Sequence, residues 1–321
     1  MKHHSSSNRV VIPVWVLAAV GLFVVACGPA VLAQETGKIR VLTSFMPVYC
    51  FAANVAGDLV EVECLLPAGV GPHDYHPVQS DYEKIRRADV FVSNGLGLED
   101  WMEKLFKSRR PRKGLTRVEA AQGLKTQLIR GTPLLHLEDE GGHSHDHGDG
   151  GNPHIWLDPT LAAHAVTNIL KALQNADPKN AEGYGKNAAA YVSRLQALDQ
   201  ELKAGLKGAS GVPIVTYHDA FVYLARRYEL SIIGVIETTP ETPPSLRYLG
   251  SLKRAIQERK VRVIFAESQF PKAIAQQISK DTGVPLGMLD TLETPANGVM
   301  EPGSYEAGMR ANLKALQAHL Q

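Results

Sequence analysis

Four short segments place residues where they could hold a metal ion. Gly71-Pro72-His73-Asp74-Tyr75, Asn152-Pro153-His154-Ile155-Trp156, Tyr217-His218-Asp219 and Leu289-Asp290-Thr291 each set a His or an Asp at a strand end or a loop start. Three imidazoles and a carboxylate converging in a cleft between two domains would make a closed tetrahedral site, with metal–nitrogen distances of about 2.0–2.1 Å. Neutral imidazole with a hard carboxylate suits a borderline divalent ion, and the absence of thiolate disfavours Cu(I). Each segment alone is a weak signal, because a His after a strand is more often a hydrogen-bonded structural residue than a ligand.

A second signal is compositional. The chain has 12 His, and His136, His143, His145 and His147 lie in one acid-rich stretch with Glu138, Asp139, Glu140, Asp146 and Asp149. Such tracts bind transition metals weakly and flexibly, and the alternative is a solvated acidic linker. From Gly131 to Asn152 there is no periodicity, so the His-rich loop (136–152) is expected to be irregular.

The elements that must position these residues follow from patterning. Lys38 to Thr43, Leu59 to Leu66 and Val90 to Val92 read as strands, with helices at Tyr49 to Ala56, Ser80 to Ala88 and Leu98 to Lys107. Asp158-Pro159 resembles a cap followed by Pro at the first helical position, opening a helix through Leu173. From Pro178 to Lys207 helix formers dominate, with Tyr191, Leu195, Leu198 and Leu202 at three- and four-residue spacing. That is one amphipathic helix about 40 Å long, a rigid connector between two halves. Beyond it come strands at 213–216, 230–235, 261–267 and 285–289 and helices at 220–228, 244–259, 272–282 and 304–320. Alternation of this kind predicts α/β lobes with parallel sheets, whose ligands bind beyond the carboxyl ends of the strands.

Composition excludes other classes. With 34 Lys and Arg against 33 Asp and Glu, and 44% apolar residues, the chain is neither disordered nor endowed with a basic field for nucleic acid. Residues 1–33 read as an export signal: Lys2 and Arg9 precede the apolar run Val10 to Ala26, and small residues follow. Val24-Val25-Ala26-Cys27 resembles a lipobox, and Val31-Leu32-Ala33 is a competing cleavage site. A lipid anchor on Cys27 is the one membrane attachment expected, with a periplasmic or cell-envelope location. Cys50 and Cys64 would then face an oxidising compartment, where a disulfide and two buried thiols are both open readings.

Taken together, the blocks carry a resemblance. Gly69-Val70-Gly71-Pro72-His73-Asp74-Tyr75, Gln79-Ser80-Asp81, Asn152-Pro153-His154-Ile155-Trp156-Leu157-Asp158-Pro159, Tyr217-His218-Asp219-Ala220-Phe221 and Glu301-Pro302-Gly303-Ser304-Tyr305 occur in a telling order. It is the order seen in the zinc and manganese solute-binding proteins of bacterial ABC importers, the cluster A-I family, which residues 38–321 resemble throughout. The resemblance implies two parallel-sheet α/β lobes, 36–177 and 210–321, joined by a single long rigid helix (178–207), with the metal in the cleft. It implies a monomer that captures Zn2+ and delivers it to an ABC transporter permease, with no nucleic acid partner.

Carried over residue by residue, the ligands are His73, His154 and His218 with Asp290 fourth. Glu267 is the runner-up carboxylate, or an acceptor orienting an imidazole. His76 is expected to be a bystander, His164 structural and Trp156 core. The all-His set and the His-rich loop favour zinc over Mn2+, the alternative ion. An exported zinc hydrolase is the alternative of another class. It would need an open coordination position and a general base, whereas no His-Glu-x-x-His is present and a fourth protein ligand would close the site.

Overall fold

The computed structural model describes residues 38–73, 75–108, 112–129, 151–237 and 243–321. The expectations for residues 1–33 with Cys27, and for His136, His143, His145 and His147, lie outside them. Strands β1 (Arg40–Thr43), β2 (Glu61–Cys64), β3 (Val90–Ser93) and β4 (Thr116–Glu119) pair in parallel in the order β2-β1-β3-β4. Helices α1 (Met46–Ala56), α2 (Gln79–Arg87), α3 (Trp101–Ser108) and α4 (Pro159–Ala176) belong to the same half. After α5 (Ala181–Leu206) comes a second parallel sheet, β5 (Pro213–Thr216), β6 (Ser231–Val235), β7 (Val263–Glu267) and β8 (Leu286–Leu289). Its order β6-β5-β7-β8 repeats the first, with α6 (Val222–Tyr228), α7 (Leu246–Glu258), α8 (Ala273–Thr282) and α9 (Ser304–Leu320).

The inner strands are apolar on both faces because helices cover both: Val90 to Val92 and Val263 to Glu267 are buried throughout. β4 escaped the sequence reading because Val118 is its one apolar residue; pairing with β3 at the sheet edge makes it a strand. In both sheets the chain reverses its direction of winding between the first and third strands, so a crevice opens beyond their carboxyl ends. In the second sheet His218 follows β5 and Glu267 closes β7.

Local chemistry sets the boundaries nearest the crevice. Asp158 caps α4 by accepting the Thr160 amide at 2.8 Å, with Pro159 at the first position. In α2, Asp81 Oδ2 accepts the Val78 amide at 2.8 Å and the Tyr75 hydroxyl at 2.6 Å, which fastens the far side of the His73 loop. Trp101 Nε1 donates to the Pro72 carbonyl at 2.8 Å and fastens the near side.

The long helix is more than a rod between lobes. α5, flanked by short 3-10 turns at Pro178–Asn180 and Lys207–Ala209, buries Tyr184, Tyr191, Leu195, Leu198 and Leu202 against α1, α4 and α9. α9 returns from the second sheet to α1: Phe51 meets Tyr305 edge-on at 5.0 Å, and Asn54 Nδ2 donates to Pro302 O at 2.8 Å. One continuous core therefore includes residues from both lobes, so packing crosses the lobe boundaries that chain order suggests. Cys50 and Cys64 are free thiols, donating to the carbonyls of Glu301 and Ser44. Burial pushes both up to about 12, the signature of inert structural thiols.

Candidate metal centre

His73 hangs from the loop after β2, and His154 opens a 3-10 turn (Ile155–Leu157) that leads into α4. His218 follows β5, and Glu293 lies four residues beyond the end of β8. Among the described residues these four offer ligand atoms that all lie within 4.8 Å of one another. The Nε2 atoms of His154 and His73 are 3.3 Å apart and those of His154 and His218 3.4 Å apart. Glu293 Oε1 lies 3.4 Å from His73 Nε2 and 3.5 Å from His154 Nε2. A tetrahedron with metal–ligand distances of 2.0–2.1 Å has edges of about 3.3–3.4 Å, so four of the six donor separations already stand near the edge length of a four-coordinate zinc cage.

Burial makes the arrangement expensive without a cation. His154, His218 and Glu293 are at most 2% exposed, and Glu293 Oε1 has no hydrogen-bond partner. A buried carboxylate oxygen left unpaired costs free energy that a bound cation would recover. Burial pushes Glu293 upward, but the imidazoles of His73, His154 and His218 outweigh it and hold the carboxyl well below its usual range. His154 is pushed down to about 4, chiefly by burial, which keeps it neutral and ready to donate a lone pair. Burial also pulls His218 down, yet the Glu267 carboxylate outweighs it and raises the imidazole to about 9.

Asp290 does not join the cluster. Its backbone N–H donates to Asn312 Oδ1 and its carboxylate turns back to accept the Leu292 amide, both at 2.8 Å. Leu292 then takes a left-handed conformation (φ 62°) and the chain delivers Glu293, not Asp290, to the imidazoles. Gly308 on α9 makes this turn feasible, because a Cβ there would stand 2.3 Å from Leu292 Cδ2. The sequence offers no sign of it: Leu is among the residues least suited to positive φ, and Glu293 belongs to no motif. Glu267 is the orienting acceptor, its Oε1 3.0 Å from His218 Nδ1. His76 is exposed, His164 Nε2 pairs with the Gln122 carbonyl at 2.8 Å, and Trp156 is buried with its Nε1 on Thr291 O.

His73 and Glu293 line the floor of a cavity of about 770 Å³ walled by Ala68–Gly71, Tyr75 and His76 on one side and Ser268–Phe270 and Thr294–Ala296 on the other. His73, with a side chain 19% exposed, is the imidazole that faces it.

The chain is 36% identical over 305 residues to the zinc-binding lipoprotein AdcA of Streptococcus pneumoniae, covering 92% of this chain and 58% of AdcA, so it spans little more than half that relative. It is 34% identical over 311 residues to the high-affinity zinc uptake system protein ZnuA of Bacillus subtilis, covering 95% and 96% of the two chains. Among solved structures, Zn(II)-bound AdcA from S. pneumoniae superposes with a TM-score of 0.70 at 33% identity, over 88% of this chain and 58% of that one. The Mn2+ complex of FpvC from Pseudomonas aeruginosa gives 0.74 at 31%, over 88% and 98%. Residues 41–319 match the family model described as zinc-uptake complex component A, periplasmic (ZnuA), and the chain belongs to that family.

Proposed function

We propose that this protein is the extracytoplasmic solute-binding component of a zinc importer, capturing Zn2+ with His73, His154, His218 and Glu293 and delivering it to an ABC permease. The observation that carries this reading is four donor separations of 3.3–3.5 Å among the Nε2 atoms of His73, His154 and His218 and Glu293 Oε1. Three imidazoles and one carboxylate suit zinc better than Mn2+, which favours six oxygen-rich ligands. Four protein donors also leave no open position for an activated water, so the cage is one for holding an ion and not for hydrolysis. The family description, with its zinc uptake and periplasmic location, supports the transport role. A lipoprotein relative supports an anchor at Cys27.

The test is metal analysis of protein purified from the cell envelope, followed by chelator-competition titrations with Zn2+ and Mn2+. One tightly held zinc per chain, with Mn2+ bound far more weakly, is the expected result. Stoichiometric Mn2+ that zinc fails to displace would overturn it.

A further inference from the structure

His154 and His218 come from different lobes, and a single buried carboxamide links the segments that carry them. Asn152, 1% exposed, has both halves of its side chain engaged. Its Oδ1 accepts the backbone N–H of His154 at 3.0 Å and also lies 2.9 Å from His154 Nδ1. Its Nδ2 donates across the cleft to Asp219 O at 3.0 Å and to Asp219 Oδ2 at 3.1 Å, at the residue directly after His218.

The network removes the usual ambiguity of an Asn and of a His. A backbone N–H can only donate and a backbone carbonyl can only accept, so the oxygen of Asn152 must face His154 and its nitrogen must face Asp219. With Oδ1 as the partner, Nδ1 of His154 must carry the proton, and the lone pair is left on Nε2, the atom that faces His73 and His218. The backbone of Asn152 is held as well: its N–H donates to Ile129 O at 2.9 Å, and its carbonyl accepts the Tyr223 hydroxyl at 2.7 Å. Tyr223 lies on α6 of the second lobe.

From this we infer that Asn152 is a positioning residue for metal capture, one that sets the tautomer of His154 and the separation of His154 from His218 with the same side chain. It touches no metal. It presents His154 and His218 as a preassembled pair, so that capture does not have to pay for selecting a tautomer or for bringing the two lobes into register. The inference rests on the four-donor reading of the site.

Three variants and one spectroscopic measurement test it. Asn152→Ala loses both functions and should weaken zinc binding 10- to 100-fold, the usual effect of removing a partner behind a ligating His. Asn152→Asp keeps the acceptor for His154 but sets a carboxylate against Asp219. It should retain the His154 tautomer and still bind zinc at least tenfold more weakly. Adding Asp219→Asn to Asn152→Asp restores a donor–acceptor pair across the cleft and should recover part of that loss. Imidazole 15N shifts of the metal-free wild type should show His154 protonated on Nδ1.

Protonation on Nε2 in the wild type would overturn the inference, and needs no variant to fold. Zinc binding by folded Asn152→Ala within twofold of wild type would overturn it too, provided that His73→Ala, measured alongside, loses affinity. If His73→Ala also binds as wild type does, the four-donor assignment has failed and this inference falls with it.

Discussion

His218 donates both its Nδ1 proton, at 3.0 Å, and its backbone N–H, at 3.2 Å, to Glu267 Oε1, and Glu267 Oε2 lies 2.8 Å from the same Nδ1. One carboxylate thus grips the ring and the main chain of the same residue, and Nε2 is turned toward the other imidazoles. The pair is buried, with His218 two residues beyond the end of β5 and Glu267 the last residue of the adjacent β7, so the acceptor that sets the ring direction is fixed by the sheet.

Replacing any of His73, His154 or His218 with Ala should weaken zinc binding by more than tenfold, because each supplies one of four donors. Glu293→Gln should do the same by removing the one anionic ligand. Asp290→Asn should leave affinity within about threefold, since an amide oxygen can still accept the Leu292 N–H. Chelator-competition titrations of all five variants decide between Glu293 and Asp290: a large loss at Asp290 with none at Glu293 would reverse the assignment.

Zinc uptake should expel a proton. In the metal-free protein His218, raised to about 9 by Glu267 against the opposing effect of burial, is an imidazolium at neutral pH, and metal can take Nε2 only after that proton leaves. A raised pKa means that the proton is held below about 9, so apparent affinity should fall about tenfold per pH unit going down from there and level off above it. His154, already neutral above about 4, adds to the loss only in stronger acid. Calorimetry at pH 7.5 in buffers of different ionisation enthalpy should report close to one proton released per zinc, and fewer for Glu267→Gln. Zero protons for the wild type would contradict the pairing.

Gly308→Ala should weaken zinc binding without unfolding the protein. Ala is favoured over Gly inside a helix by about 0.8–1.0 kcal/mol, yet the new methyl would meet Leu292 Cδ2 at 2.3 Å. Displacing Leu292 moves its neighbour Glu293, so the cost should surface as severalfold lost affinity with the helix content of the metal-free protein unchanged by circular dichroism. Unaltered affinity would mean that Leu292 can shift without carrying Glu293 along.

Asp199→Ala should destabilise the fold by about 2–4 kcal/mol and leave the metal site alone. Asp199 is buried on α5 and receives Arg227 Nε and Nη2 at 2.8 and 2.6 Å and the Tyr228 hydroxyl at 3.1 Å, which binds α6 to the long helix. Denaturant unfolding of the metal-free protein measures the loss, and zinc titration of the folded variant checks that affinity is unchanged.

Much of this protein could be read from its residues in order. Alternating strand and helix patterns, the Asp158-Pro159 helix start and the long run of helix formers after Pro178 depend on interactions a few residues apart, and these are where the structure has them. His73, His154 and His218 stand in distinctive motifs, and of the three His218 closely follows a strand at the carboxyl edge of its parallel sheet. The fourth donor was a different matter. Asp290 and Glu293 are three residues apart on the same loop, and what separates them is a left-handed Leu292 held against Gly308, a contact between segments that the linear pattern does not connect. The same holds for Asn152, whose type and motif were visible but whose bond to Asp219 exists only once the two lobes share a core. Local periodicity thus determined most of the elements, and local motifs marked the three histidines, whereas β4, the choice of Glu293 over Asp290 and the orientation of each donor were decided by packing between distant segments, because directional hydrogen bonds and close contacts across the fold have no counterpart in sequence spacing.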